Sequence, residues 1–68
     1  MYAAYKIDKD ISTIDSKGNV RYRTDFILDT EEDIPTFKTQ CKEYPPGTTG
    51  YVASTGEALM LNCQGEYV

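Results

Sequence analysis

Hydrophobic and polar residues alternate over most of the first 28 positions, and this pattern predicts two β-strands. The first strand covers residues 2–7 and resumes over residues 11–14 after a polar break. The second strand, residues 20–28, is the most regular in the chain, with apolar or small side chains on one face. Its other face carries Arg21, Arg23 and Asp25. We expect this charged face to meet water.

Two turn signals share one spacing. Asp15 is followed three residues later by Gly18, which is typical of a type I turn closed by a left-handed residue. Asn62 and Gly65 repeat that spacing near the end of the chain. The sequence therefore predicts a hairpin at each place.

The middle of the chain shows little periodicity. Thr30 and Asp33 resemble a helix N-cap signal, but Pro35 is expected to limit any helix there to a single turn. Residues 35–48 lack a repeating apolar pattern and end in Pro and Gly, so they are predicted to form an irregular connection.

Three short strands are predicted in the last third, over residues 49–53, 58–61 and 66–68. Residues 57–61 also have high helix propensity, but too few positions separate the flanking glycines, Gly56 and Gly65, for a stable helix. The predicted fold is mainly β: one domain over residues 1–68 holding a small antiparallel sheet of hairpins, a meander. At most one short helical turn is expected, near residues 30–34.

A single small domain has little apolar material to bury. A chain of 68 residues hides only roughly 60% of the surface that it exposes when unfolded. Six tyrosines are expected to complete a thin core, because each has an apolar ring and a polar tip. An isolated monomer would be marginally stable, and we expect an oligomer, a host surface or a cross-link to support it.

The charge balance argues against several partners. Seven Lys and Arg face eleven Asp and Glu, giving a formal net charge of −4. Nucleic acids and anionic membranes both attract basic surfaces, so neither is expected to bind. No apolar run is long enough to span a bilayer.

The side chains needed for common catalytic and metal sites are scarce. Histidine is absent, and the two cysteines, Cys41 and Cys63, lack the short spacing of a zinc site. Whether they form a disulfide stays open, with buried free thiols as the simpler interpretation. The acidic stretch 29–33 lacks the pattern of a calcium loop. We predict a protein that is not an enzyme and that carries no cofactor or metal.

One stretch of the chain resembles a known group of proteins. Residues 46–68 combine Pro-Gly-Thr-Thr, an apolar strand, Ser-Thr-Gly-Glu, a strand ending in Met-Leu-Asn, and Gly-Glu-Tyr. This order is similar to the closing segment of small virion-associated, head-fibre-like proteins of tailed bacteriophages. The chain departs from their usual Gly-Glu-Trp by Tyr67. The resemblance implies a structural protein of the virion, made in the host cytoplasm, with no catalytic residues to carry over.

The resemblance and the predicted meander together suggest how such a module would act. A meander that ends at the last residue leaves an edge strand open to a neighbouring subunit or another virion protein. The candidate contact residues on these strands are Tyr51, Leu59, Leu61, Tyr67 and Val68. The leading hypothesis is a non-catalytic, self-associating assembly module, capsid-attached or fibre-joining. The alternative is a small acidic protein that inhibits a host protein, and a weaker third possibility is glycan contact through exposed tyrosines.

Overall fold

A computed structural model describes residues 1–68 and contains one four-stranded sheet with a short helical segment on one face. The elements in chain order are β1 (Tyr2–Ile14), β2 (Val20–Leu28), a 3-10 turn (Glu31–Asp33), α1 (Ile34–Gln40), β3 (Thr49–Val52) and β4 (Ala58–Met60). The prediction of a mainly β fold with little helix is confirmed.

The sheet is mixed, which corrects the predicted all-antiparallel meander. Its strand order is β1-β2-β3-β4. The pairs β1–β2 and β3–β4 are antiparallel hairpins, whereas β2 and β3 run parallel, with Phe26 opposite Gly50 and Leu28 opposite Val52. Parallel neighbours need a long crossover connection, and α1 lies in it. The segment between β2 and β3 is therefore a βαβ crossover.

The helical segment is longer than the predicted single turn near residues 30–34. Thr30 is the N-cap of the 3-10 turn, and its N–H donates to the Asp33 carboxylate at 3.2 Å. Pro35 lies in the first turn of α1, where a helix needs no N–H donor, so it starts the helix rather than ending it. The irregular connection is thus reduced from 35–48 to residues 41–48.

The core lies between α1 and the inward face of the sheet. Alternation along β2 directs Thr24, Phe26 and Leu28 inward. The apolar core consists of Phe26, Leu28, Phe37, Cys41, Val52, Leu61 and Tyr67. Three of these seven residues are aromatic, and Phe26 and Phe37 meet edge to face with centroids 5.3 Å apart. Of the six tyrosines expected to complete the core, Tyr67 is buried in it, and Tyr2 and Tyr44 pack against it while partly exposed.

Gly50 sets how closely α1 approaches the sheet. A Cβ at this position would lie 2.6 Å from Cε2 of Phe37 and 3.2 Å from Cδ1 of Leu28. The Phe37 ring thus occupies the space that a side chain at position 50 of β3 would need. Phe37 and Leu28 are both fully buried, so neither can move aside without disturbing the core.

Both predicted turns are present, and the first is held by one carboxylate. Gly18 and Gly65 have positive φ values of 83° and 82°. The Asp15 carboxylate accepts N–H bonds from Lys17 and Asn19, each at 2.9 Å, and Nε of Arg21 donates to it at 2.9 Å. These donors stabilise the charged form, chiefly the Asn19 N–H, and they hold the Asp15 pKa below its ordinary value of 3.8.

The contact between Phe37 and Gly50 predicts a specific response to substitution. Gly50→Ala is expected to lower the free energy of unfolding by about 1–3 kcal/mol, because the added methyl overpacks the core. Urea denaturation measures the change. Phe37→Leu should destabilise on its own, yet combining it with Gly50→Ala should cost less than the sum of the two single changes. Strict additivity of the two changes would contradict the contact.

The Asp15 turn predicts a pH-dependent loss of stability. A carboxyl whose pKa is lower when folded stabilises the protein above its unfolded pKa of 3.8, and this stabilisation fades as pH falls through the lower folded value. Asp15→Asn should therefore lower the urea midpoint at pH 7, with the difference from the original chain shrinking below about pH 4. Glu66→Gln makes an equal charge change at an exposed site and serves as the control. It should change neither the urea midpoint at pH 7 nor the way the midpoint depends on pH. A gap between Asp15→Asn and the original chain that stays constant down to pH 2 would argue against this role.

Candidate interaction surfaces

The five predicted contact residues divide between the core and the surface. Leu61 and Tyr67 are 2% and 7% exposed and belong to the core, so they are not available to a partner of the folded chain. Leu59 is half-buried and packs against the core. Tyr51 and Val68 are exposed. The prediction of Leu61 and Tyr67 as contact residues is therefore corrected.

Tyr67 is buried because its hydroxyl has an internal partner. The hydroxyl donates to the carbonyl oxygen of Cys41 at 2.7 Å, and its ring lies 4.8 Å from that of Phe37. Burial raises the pKa of the phenol well above its ordinary value. A tyrosine in this setting closes the core beneath the end of α1, so this ring stabilises the fold.

The C-terminal edge is also less open than predicted. Met60 and Val68 exchange two backbone hydrogen bonds of 3.0 Å, and Leu61 pairs with Tyr67. The last residues thus cover the outer edge of β4, and the long unpaired edge of the sheet is that of β1.

The charged residues of β2 form a polar network on the outer face instead of a freely hydrated surface. Nη1 of Arg23 donates to Asp25 and to the carbonyl oxygen of Gly47, both at 2.9 Å, and its Nε lies 3.7 Å from the Asp8 carboxylate. The Thr49 hydroxyl donates to the Asp25 carboxylate at 2.6 Å. This hydrogen bond, together with the one from Arg23, lowers the Asp25 pKa. This network joins β1, β2, β3 and the segment before β3, so its main effect is to fix the sheet.

An aliphatic surface lies near the far end of the β1–β2 hairpin. Ile14 and Val20 face each other across the strands and are 65% and 51% exposed. We call Ile14 and Val20 the aliphatic tip. Isolated exposed aliphatics are common, but two branched side chains directly opposite each other form a small apolar surface and mark a candidate contact site.

The turn beside the aliphatic tip is fastened to the rest of the molecule. Ser16 donates through its N–H and its hydroxyl to the Glu43 carboxylate, at 3.0 and 3.1 Å. The Arg21 guanidinium lies 5.4 Å from the Tyr44 ring centroid, a cation–π distance, and Tyr44 packs on Phe26. The core therefore supports the turn, and the aliphatic tip is presented on a fixed scaffold.

The sequence pattern did not identify the aliphatic tip, because alternation placed Val20 on the same face of its strand as Phe26 and gave Ile14 only as the end of the first strand. The strands themselves carried one usable signal. The predicted first hairpin is much longer than the last strands, so their pairing could cover only part of it. Residues at its far end would then lack a covering layer.

The two cysteines differ in environment and are not paired. Cys41 is buried, and burial raises the pKa of its thiol, whereas Cys63 is exposed near the C-terminal turn. The expectation of buried free thiols therefore applies to Cys41 and is wrong for Cys63.

The function has to be inferred from the chain's own surfaces, because comparison with known proteins identifies no relative. Its single α-helix is neither long enough nor apolar enough to cross a membrane. No cluster of three or more His, Cys, Asp or Glu side chains is placed to bind a metal ion. No known protein family, curated protein or solved structure matches the chain.

Proposed function

We propose that this protein is a non-catalytic assembly module that acts through protein–protein contact, as a structural component of a tailed-phage virion. The observation that carries the proposal is the aliphatic tip, two exposed branched side chains that face each other on a fixed hairpin. Complete burial of a fully exposed side chain of this kind contributes about 1.5–3 kcal/mol, and because Ile14 and Val20 are 65% and 51% exposed, a partner would gain roughly half of that from each. The similarity of residues 46–68 to small virion-associated proteins supplies the kind of partner.

The shape of the molecule supports this assignment. The chain is elongated, with extents of 33 × 20 × 19 Å, because the hairpin is much longer than the helix that packs on it. The helix and core therefore support one part of the sheet, and the hairpin beyond them presents Ile14 and Val20 to solvent. This arrangement suits a small protein that joins larger ones.

Replacing the aliphatic tip tests the proposal. Ile14→Glu combined with Val20→Lys removes the apolar surface, keeps the net charge and leaves opposite charges facing each other across the strands. We expect the chain to be present in purified particles assembled from its encoding genome, and the double variant to be incorporated at least about tenfold less, equivalent to about 1.4 kcal/mol. Quantitative mass spectrometry of the particles measures both.

A matched variant separates loss of contact from loss of fold. Thr36→Glu combined with Ala53→Lys introduces the same charges at exposed sites away from the hairpin and should be incorporated normally. Urea denaturation should show both variants folded. Absence of the original chain from particles, together with stoichiometric binding to one host protein, would replace the proposal with the inhibitor hypothesis. Normal incorporation of the hairpin variant would remove the role of the aliphatic tip.

A further inference from the structure

The outer edge of β1 presents backbone hydrogen-bonding groups at Ile7. In an antiparallel pair, residues alternate between those that bond to their partner and those that point away from it. Thr24 directs its N–H toward the β3 side, to Oγ1 of Thr48 at 3.5 Å, and Leu28 accepts there from the N–H of Ala53 at 2.9 Å. Ile7, the partner of Thr24, must therefore point its own N–H and C=O away from β2. These two groups face the open edge of the sheet.

Irregularities on both sides separate the charged segment around Ile7 from the uncharged, regularly paired segments Tyr2–Ala4 and Ser12–Ile14. The pairing of β1 with β2 shifts between Ala4 and Lys6, and again between Asp8 and Ser12. Such bulges interrupt an edge and prevent indiscriminate strand pairing. Only the segment Lys6–Asp8 keeps regular pairing between them, and its central residue is Ile7.

We propose that two copies of the chain pair antiparallel along β1, about a two-fold axis that lies midway between their two Ile7 residues. Each Ile7 N–H would donate to the Ile7 carbonyl of the other copy. A two-fold axis perpendicular to the sheet keeps the same face outward in both copies, so the two four-stranded sheets become one of eight strands. This inference rests on the proposed assembly role and names a second copy as one partner.

The charges on β1 match in this register. Lys6 of each copy faces Asp8 of the other, so two opposite-charge pairs flank the axis. They occupy non-hydrogen-bonded positions, where side chains across an antiparallel pair are closest. Within one copy, Lys6 already lies opposite Asp25, and Asp8 opposite Arg23. Each row of outward charges across the joined sheet therefore runs from Asp25 and Lys6 of one copy to Asp8 and Arg23 of the other. The sign of the charge alternates along both of these symmetry-related rows.

Neighbouring registers lack this match. Moving the axis by one residue places Lys6 opposite Lys6, or Asp8 opposite Asp8, in a sheet position where like charges destabilise pairing. The charges on β1 therefore select a second copy in one register and disfavour other strands. Charges that would otherwise discourage strand pairing at the β1 edge thus favour pairing with the β1 edge of a second copy.

Charge reversal tests the register. Lys6→Asp alone and Asp8→Lys alone each place like charges at both flanking pairs, so each should weaken dimerisation at least about tenfold. An equimolar mixture of the two variants restores opposite charges at both pairs and should form a heterodimer. Sedimentation equilibrium reads the result as a change from the 7.7 kDa monomer toward twice that mass. Dimers of the original chain should weaken in high salt, because these pairs are solvent-exposed.

Backbone substitution tests the edge itself. Ile7→Pro removes the outward N–H without breaking a bond to β2, so the chain should stay folded and become monomeric. Ile7→Thr keeps that N–H and a branched side chain, and should dimerise. Circular dichroism and urea denaturation check that every variant is folded.

Three results would overturn the pairing: an original chain that is monomeric at millimolar concentration, a dimer unaffected by Ile7→Pro, or a charge-reversed mixture that stays monomeric. Each is distinct from failure of the proposed function. A monomeric chain found in particles removes only the pairing, whereas a dimeric chain absent from particles removes only the virion role.

Discussion

The contact of the Phe37 ring with Gly50 is the constraint on which the rest of the fold depends. It brings α1 onto the parallel pair of β2 and β3, because a larger residue on β3 would hold the helix off the sheet. The close approach lets Leu28 and Val52 be fully buried beneath the helix. Without this contact, α1 would have no apolar face of the sheet to pack on. The packing that holds the β1–β2 and β3–β4 hairpins side by side, with β2 parallel to β3, would then be lost.

The short helix also decides which surfaces remain uncovered. Seven residues of α-helix span about 10 Å, whereas the nine residues of β2 span about 30 Å. One helix can therefore cover only part of the inward face, and the remaining hairpin must be supported by other means. Ion pairs, the Asp15 turn and the Arg21–Tyr44 contact give that support at its far end. Its aliphatic residues keep their exposed surface.

Local patterns predicted the strands and turns of this chain better than their arrangement. Alternation located β2 correctly, and the Asx-x-x-Gly spacing located both turns, because each depends on neighbouring residues. The parallel pairing depends on Gly50 meeting Phe37, two residues 13 positions apart with no local signal linking them. Pro35 predicts at most a single helical turn, whereas it lies in the first turn of a longer helix. Tyr67 is predicted as a contact residue, but its hydroxyl has a buried partner that only the folded chain brings close to it.

The two edges of the sheet differ in whether the chain's own backbone covers them, and this difference bears on assembly. The C-terminal residues pair with Met60 and Leu61 and so cover the β4 edge with the chain's own backbone. The β1 edge has no such cover. Bulges divide it into three regularly paired segments, Tyr2–Ala4, Lys6–Asp8 and Ser12–Ile14, and of these only Lys6–Asp8 carries charged side chains. The charges of that segment favour a strand that carries the complementary charges in the matching order, as a second copy does in the proposed register. Under the proposed virion role, neighbouring copies would be held close together, and their high local concentration would strengthen even a weak contact of this kind.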